Sequence, residues 1–449
     1  MTFSKNSLAN DVTTPARIGV SSTPALSLDL DAVDHNITTM AAWCAQAGVD
    51  LAPHGKTTMM PDIWRRQLDA GAWGITVATA FQAEIARDAR VPNIIMAGTT
   101  FAPEVLRSLL DGPADVLMWI DSRAGVQLLN DALSGTPAPA RPLAILVEFG
   151  SVLGRTGARS VEEAVQIADA VHAAEHLVLA GVAGYEGALT HGIDAAGIAI
   201  IDDYLRDLLE VLDTIPASHF APWLDSGRDI VLTAGGSVYF DRVAAVLGDR
   251  HDPRGERGGR TRVVLRSGSY VAHDHDLYRR LTPFARIVPA GASTPPPASS
   301  GPSSPGPTAS ESAASEPTTF EPATFEPALE LWATVISRPQ PDLALLNIGR
   351  RDAAHDEGFP IPLDVWAAGA QTKRGTDALD GAAVTALNDQ HAFLHLSEHS
   401  PIVVGDLVRL GISHPCTTFD KWTEIAIVRG LADQRDQPPV IEGYLPTRF

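Results

Sequence analysis

The sequence predicts an α/β protein in which a (β/α)8 barrel is joined to a smaller C-terminal β-domain. Three observations lead to that fold class. Between residues 50 and 270, short apolar runs alternate with stretches of helical spacing, and eight such runs occur. A glycine pair, Gly235-Gly236, follows the seventh run, late in the repeat. After a long Pro-, Ser- and Thr-rich stretch the chain resumes as short strand-like runs separated by Gly, Pro and Asp turns.

The eight runs are Leu51 to His54, Gly74 to Ala78, Asn93 to Gly98, Val116 to Asp121, Leu143 to Phe149, Leu179 to Tyr185, Asp229 to Ala234 and Arg262 to Arg266. Between them, segments such as Ser160 to Ala174 and Ala195 to Thr214 space apolar residues three and four apart, the period of a helix with one buried face. Such alternation calls for a parallel sheet covered by helices. An open doubly wound sheet shares the pattern, but no dinucleotide fingerprint follows the first run. Gly235-Gly236 instead stands where barrels hold a phosphate between their last strand ends, which favours the closed barrel. The barrel is assigned to residues 24–288.

From Pro289 to Ala328 the composition turns to Pro, Ser, Ala, Thr and Glu, too poor in apolar surface to order itself, and reads as a linker or insertion. Beyond it, Leu329 to Ser337, Leu343 to Ile348, Phe393 to Leu396, Leu407 to Leu410 and Glu424 to Arg429 read as strands of a β-domain spanning 329–449. Residues 1–23 are expected to pack with that domain.

A chain of 449 residues has room for two domains and a sizeable core. Apolar residues at 45% and charged ones at 20% match an ordinary globular protein. There is no apolar leader and no spanning run of about 18 residues, so a cytoplasmic protein without membrane contact is expected. The formal charge of −20 would repel a phosphate backbone and excludes nucleic acid as a natural partner. Cys44 and Cys416 are too few and too far apart for a disulfide framework, so any special role is that of a thiolate.

Four stretches carry chemistry. Pro53-His54-Gly55-Lys56-Thr57 ends the first run and places an amine at the C-terminal mouth of a barrel, where desolvation lowers its pKa and a neutral amine attacks an aldehyde. Taken locally, Lys56 reads equally as an exposed helix-capping lysine. Thr233-Ala234-Gly235-Gly236-Ser237 lets backbone N–H groups and a hydroxyl approach a phosphate, or simply makes a tight turn. His414 and Cys416 stand two apart, so on an extended segment both side chains leave one face, as two ligands of one ion must; imidazole with thiolate suits zinc. The bland alternative is a buried cysteine beside an unrelated histidine. His191, six residues after Tyr185, is a candidate for proton exchange with a substrate hydroxyl. His54, His399 and Asp420 are further metal-ligand or supporting candidates, each as easily an ordinary hydrogen-bonded residue.

Pro53 to Thr57, Tyr185-Glu186-Gly187, the Ala-Gly-Gly-Ser stretch and His414-Pro415-Cys416-Thr417-Thr418 appear in an order that resembles the D-serine dehydratase and D-threonine aldolase family, from about Thr23 to the C-terminus. That family resembles alanine racemase in its barrel, the fold type III of pyridoxal-phosphate enzymes. The resemblance implies pyridoxal 5'-phosphate as cofactor, with Lys56 as its Schiff-base lysine and as the base that removes the substrate α-proton. It implies that Arg155, in Gly154-Arg155-Thr156-Gly157, touches the ring oxygen and that Tyr185 neighbours the ring. It further implies that Gly235, Gly236 and Ser237 hold the phosphate, and that His414 and Cys416 bind Zn2+ or another divalent metal. It also implies a homodimer whose site combines one subunit's barrel with the other's β-domain. The insertion at 289–328 departs from the family's compactness.

The activity expected from the resemblance is dehydration and deamination of a β-hydroxy D-amino acid such as D-serine, giving a keto acid and ammonia. A retro-aldol cleavage to glycine and an aldehyde, with His191 taking the hydroxyl proton, is the alternative. The aldolase branch resembles a His-x-Asp pair, so Cys416 favours dehydration while His191 pulls toward cleavage. A dehydratase for 3-hydroxyaspartate also fits. A non-catalytic pyridoxal-phosphate-binding protein is a third reading, against which the chain beyond Leu329 argues.

Overall fold

The computed structural model describes residues 16–134, 141–152, 154–190, 192–255, 260–286, 324–369, 372–430 and 436–449. The chain enters through β1 (Ala25–Asp29) and α1 (Leu30–Ala47). Asp29 caps that helix, its carboxylate accepting the amides of Asp31 and Ala32, and Gly48 ends it in the left-handed conformation at φ 65°.

Eight strands follow: β2 (Asp50–Leu51), β3 (Ile75–Val77), β4 (Asn93–Met96), β5 (Asp115–Ile120), β6 (Leu143–Phe149), β7 (Leu177–Gly184), β8 (Ile230–Ala234) and β9 (Thr261–Leu265). All neighbours pair in parallel, in the order β2-β9-β8-β7-β6-β5-β4-β3. The sheet closes on itself just past β2: Trp73 donates to the Leu51 carbonyl at 2.7 Å, Thr76 donates to the Pro53 carbonyl at 2.9 Å, and His54 bridges Thr76. The result is the (β/α)8 barrel the alternation predicts, and each of the eight predicted runs overlaps one strand.

These runs were readable because parallel strands are covered on both faces, so they are apolar throughout instead of alternating. Every residue of β6 and of β7 is buried. Inside the barrel Ala52, Ile95, Leu117, Leu146, Val231 and Val264 form one apolar cluster, while the outward side chains join a larger core with the helices.

The second domain adds β10 (Leu329–Gln340), β11 (Leu343–Leu346), β12 (Ile361–Trp366), β13 (Ala383–Leu387), β14 (Ala392–His395), β15 (Leu407–Gly411), β16 (Glu424–Val428) and β17 (Gly443–Pro446). Here the structure differs from the predicted boundaries. β1 belongs to this sheet: it pairs antiparallel with β10 and parallel with β16, so the barrel proper begins at α1. Most of the expected linker, 289–323, lies outside the described residues, but its last five residues are packed. Phe325 is buried against Phe284, with ring centroids 4.8 Å apart, and Asn36 accepts the Glu326 amide at 2.7 Å and donates to its carbonyl at 2.8 Å. One aromatic in the right register outweighs a linker-like composition.

Three contacts bring the second domain over the barrel mouth. Ala328 donates to the Ala272 carbonyl at 2.8 Å, His275 to that of Ile412 at 3.0 Å, and Arg448 to that of Met59 at 2.9 Å. Residues 16–23 run beside the same sheet, with Arg17 bridging Val440 and Ile18 buried near Trp332 and Trp366. No helix among the described residues is long and apolar enough to cross a membrane.

Candidate active site

Lys56 lies on the single turn of 3-10 helix, Gly55–Thr57, that follows β2 at the barrel mouth. Gly55 is required there: a Cβ would stand 2.8 Å from Trp64 and Ile75. The lysine is half-buried. Burial pushes its ammonium pKa below the ordinary lysine range, and Arg155 and Arg266 push the same way against the one opposing group, the Cys416 thiolate. Its neighbour His54 is kept neutral by burial and then by Lys56, Arg266 and Arg155, and its Nδ1 has no hydrogen-bond partner among the described residues.

Arg266 ends β9 and is 3% exposed. Its guanidinium donates to the Thr233 hydroxyl at 2.7 Å and the Gly184 carbonyl at 2.5 Å and lies 4.7 Å from the Trp119 ring centroid. Burial lowers its pKa to about 10, against the pull of Glu186. Trp119 Nε1, like His54 Nδ1, is a buried polar atom without a hydrogen-bond partner among the described residues. A buried cation and two unsatisfied ring nitrogens around one amine are features a polar aromatic ligand would satisfy.

The phosphate side is more constrained than the sequence suggests. Gly235 and Gly236, expected to offer their amides to an anion, donate them to the carboxylate of Glu186, at 3.0 and 2.6 Å. Glu186 is fully buried and follows Tyr185 at the end of β7. With those donors engaged, the remaining polar side chains of these turns are serine hydroxyls. Ser237 accepts the Ser269 amide at 3.3 Å and Ser267 donates to the Gly236 carbonyl at 2.9 Å, so the turns after β8 and β9 are tied into one serine-lined rim. Tyr185 is half-buried, its hydroxyl kept protonated by burial and by Glu186, and Arg155, itself exposed, lies 4.8 Å from its ring centroid. His191 lies outside the described residues.

His414 and Cys416 meet this mouth from above. The segment is not extended as expected: Pro415 is helical at φ −63°, ψ −44°, and Cys416–Phe419 forms one helical turn. The two side chains are nevertheless hydrogen-bonded to each other. Burial alone would lower the His414 pKa, but the Cys416 thiolate and the Asp356 carboxylate outweigh it and hold the imidazole at about 9. Burial likewise opposes ionisation of Cys416, and His414 outweighs it, so the thiol pKa falls. Thr57 lies 3.3 Å from the sulfur and Ser269 3.6 Å. The Tyr278 ring stands edge-on to His414 at 6.4 Å.

Among the described residues no three His, Cys, Asp or Glu side chains converge on one point. A divalent ion here would have two protein ligands and open positions for substrate and water, the arrangement of a catalytic and not a structural metal. Of the further candidates, His54 lines the mouth, whereas His399 is exposed and Asp420 points to Lys421 at 3.8 Å.

Sequence reasoning missed Arg266, Glu186 and Asp356. Arg266-Ser267-Gly268-Ser269 closes β9 with small residues much as Ala234-Gly235-Gly236-Ser237 follows β8, and that likeness was the available signal. Within the chain, the β-domain brings His414 and Cys416 to the turn that carries Lys56.

Comparison with known proteins agrees with this architecture. Residues 28–223 match the family model "Alanine racemase, N-terminal domain" and residues 328–428 match "Putative serine dehydratase domain". The 3-hydroxy-D-aspartate aldolase of Paracoccus denitrificans is 25% identical over 345 residues, 76% of this chain and 75% of that one. The crystal structure of D-threonine aldolase from Filomicrobium marinum superposes with a TM-score of 0.69 at 23% identity, covering 97% of this chain and 98% of that one. A metal-free cysteine-to-alanine mutant of D-threo-3-hydroxyaspartate dehydratase superposes with a TM-score of 0.63 at 19% identity over 95% and 97% of the two chains. An alanine racemase-type N-terminal domain and a serine dehydratase-type domain thus lie in order on one chain.

Proposed function

We propose that this chain is a pyridoxal-phosphate-dependent lyase of a small β-hydroxy D-amino acid, and within that class a metal-assisted dehydratase that releases a keto acid and ammonia. The observation that carries this reading is the meeting of Lys56 and the His414–Cys416 pair at one barrel mouth, through the 3.3 Å contact of Thr57 with the Cys416 sulfur.

Bound there, pyridoxal phosphate would supply an aldehyde and an electron-withdrawing ring that stabilises negative charge at Cα, and a divalent ion would supply Lewis acidity at the β-oxygen. The chain's residues do the rest. Lys56, with its amine pKa lowered, accepts the α-proton at Nζ. Arg266, His54 and Trp119 would offer buried polar groups to the ring, and Tyr185 with Arg155 would border it. The Ser237 and Ser269 hydroxyls would meet the phosphate, while the buried Ser267 ties the two turns together and Gly235 and Gly236 keep the turn tight under the Glu186 carboxylate. His414 and Cys416 would hold the ion, which would supply its Lewis acidity at the mouth that carries Lys56. With D-serine, the water lost at Cβ is regained when the nitrogen is released, so the products are pyruvate and ammonia.

The thiolate supports dehydration. Solved structures of D-threo-3-hydroxyaspartate dehydratase include a histidine-to-alanine mutant and the metal-free cysteine-to-alanine mutant, substituted two positions apart, the spacing of His414 and Cys416. The aldolase relatives favour a second reading, in which His191 takes the hydroxyl proton and the Cα–Cβ bond breaks to give glycine and an aldehyde. Purified protein incubated with D-serine, D-threonine and 3-hydroxy-D-aspartate decides between them: keto acid with equimolar ammonia is expected, and predominant glycine overturns the first reading.

A further inference from the structure

We infer that Asp356 is the positioning residue of the metal site: it fixes the ring and tautomer of His414 so that Nε2 is presented to the ion beside Cys416. The inference rests on the reading of His414 and Cys416 as metal ligands.

Asp356 lies in the loop between β11 and β12, 58 positions before the histidine it meets. His414 Nδ1–H donates to Asp356 Oδ2 at 2.7 Å, and the Thr417 hydroxyl donates to Oδ1 at 2.9 Å. Both carboxylate oxygens are therefore engaged by the His-x-Cys-Thr segment. An imidazole whose Nδ1 carries the proton has its lone pair on Nε2 alone, and a carboxylate partner both holds that tautomer and raises the basicity of the free nitrogen.

The loop is built to hold this carboxylate still. On one side, Asp352 is buried, accepts the Gly349 amide at 2.9 Å, and offers its carbonyl to Trp422 Nε1 at 2.9 Å. On the other, the Ser413 hydroxyl donates to the Gly358 carbonyl at 2.7 Å. Ser413 and Trp422 flank the His414–Thr418 segment, so the loop is tied at both ends to the stretch that carries the two ligands. The Asp356 side chain is 45% exposed, so its placement serves the imidazole and not a buried core.

The test is metal binding, read independently of turnover. Chelator-stripped protein competes with a chromophoric chelator for Zn2+, and Co2+ absorption reports the ligand set at saturation. Asp356→Ala is expected to weaken Zn2+ binding 10- to 100-fold, with the Co2+ spectrum at saturation unchanged. Asp356→Asn, whose amide oxygen still accepts from Nδ1–H, gives a smaller loss. Zinc affinity equal to wild type in both variants overturns the inference, and so does a changed Co2+ spectrum in Asp356→Ala, which would make the carboxylate a ligand. If Asp356→Ala does not fold, unchanged affinity in Asp356→Asn overturns it. Equal zinc binding by wild type and His414→Ala has a different meaning: the metal site itself is then misassigned, and the inference falls with it.

Discussion

The hydroxyl of Thr57 lies 3.3 Å from the sulfur of Cys416, a residue 359 positions away. The contact ties the turn that carries Lys56 to the segment that carries His414 and Cys416, so the proposed cofactor lysine and the proposed metal ligands share a wall without sharing a ligand. The two functions should come apart experimentally. Cys416→Ala and treatment with a chelator are each expected to lower keto acid formation by about 100-fold or more, the worth of a few kcal/mol of Lewis-acid assistance. Borohydride trapping of pyridoxal phosphate on Lys56 should be retained in both. Undiminished turnover after complete metal removal would remove the metal from the mechanism.

Lys56 should capture an aldehyde at a lower pH than an exposed lysine. Burial, Arg155 and Arg266 disfavour its ammonium form, so the neutral amine is present at a pH where an ordinary lysine is still protonated. The rate of imine formation by the stripped protein rises with pH and levels off below the ordinary lysine range. Arg155→Met removes a repelling cation from an exposed position, which moves the rise to higher pH. The absorbance change on mixing with pyridoxal phosphate measures both curves, and coincident profiles would show that Arg155 does not act on the amine.

Much of this arrangement was legible in the chain, for an identifiable reason. Doubly covered strands such as Leu143–Phe149 are buried at every position and apolar at all but Glu148, and Lys56 and Gly235-Gly236 closely follow such runs, so local pattern alone put them at the mouth. What local pattern misses is pairing across the chain. Ala25–Asp29 falls within the span assigned to the barrel, yet it pairs with β10 and β16. Ile361–Trp366 is hidden by Pro362, which sits at a register shift opposite β15. Glu186 stood inside a recognised motif, but its partners, Gly235 and Gly236, are about 50 residues on. Asp356 lies in a polar loop with no periodicity at all.

Glu186 should matter for stability before it matters for chemistry. Its carboxylate is the acceptor for two amides at the base of the serine rim, and it is fully buried. Glu186→Ala leaves both donors without a partner, at about 1–3 kcal/mol each. Glu186→Gln keeps one good acceptor and should lose about half as much. Urea unfolding of the stripped protein measures the difference; equal stability of all three forms would mean that water or a neighbouring carbonyl replaces the carboxylate.

Asp274 gives the fold a pH dependence of defined sign. It is wholly buried, and burial raises its pKa to about 7 from the ordinary 3.8 even though the amides of Tyr278, Asp276 and Arg279 pull it down. A folded-state pKa above the unfolded one means that the folded chain holds a proton the unfolded chain releases. The associated stability is fully present below the unfolded value and is lost as pH rises through about 7. The loss amounts to roughly 4 kcal/mol at most. Asp274→Asn should flatten that slope, as read from denaturant midpoints across the interval; a slope unchanged in the variant would assign it to other groups.

The packed end of the Pro- and Ser-rich stretch gives the most direct test of where the second domain begins. Phe325 is 7% exposed and its ring contacts Phe284 at 4.8 Å, Tyr270 at 5.6 Å, His273 at 5.8 Å and Phe240 at 6.4 Å. Tyr270 sits on the turn just after Ser269, so the aromatic cluster supports the floor of the serine rim as well as joining the domains. Phe325→Ala removes a ring that its neighbours, fixed on three separate elements, cannot close over, and should cost about 3 kcal/mol or more. The same substitution at Val152, which is 86% exposed, should cost almost nothing. Because the cavity opens beneath Ser269, the Phe325 variant should also bind pyridoxal phosphate more weakly, which equilibrium titration would show. A melting temperature unaffected by the loss of Phe325 would return residues 324–328 to the linker and leave β10 as the true start of the domain.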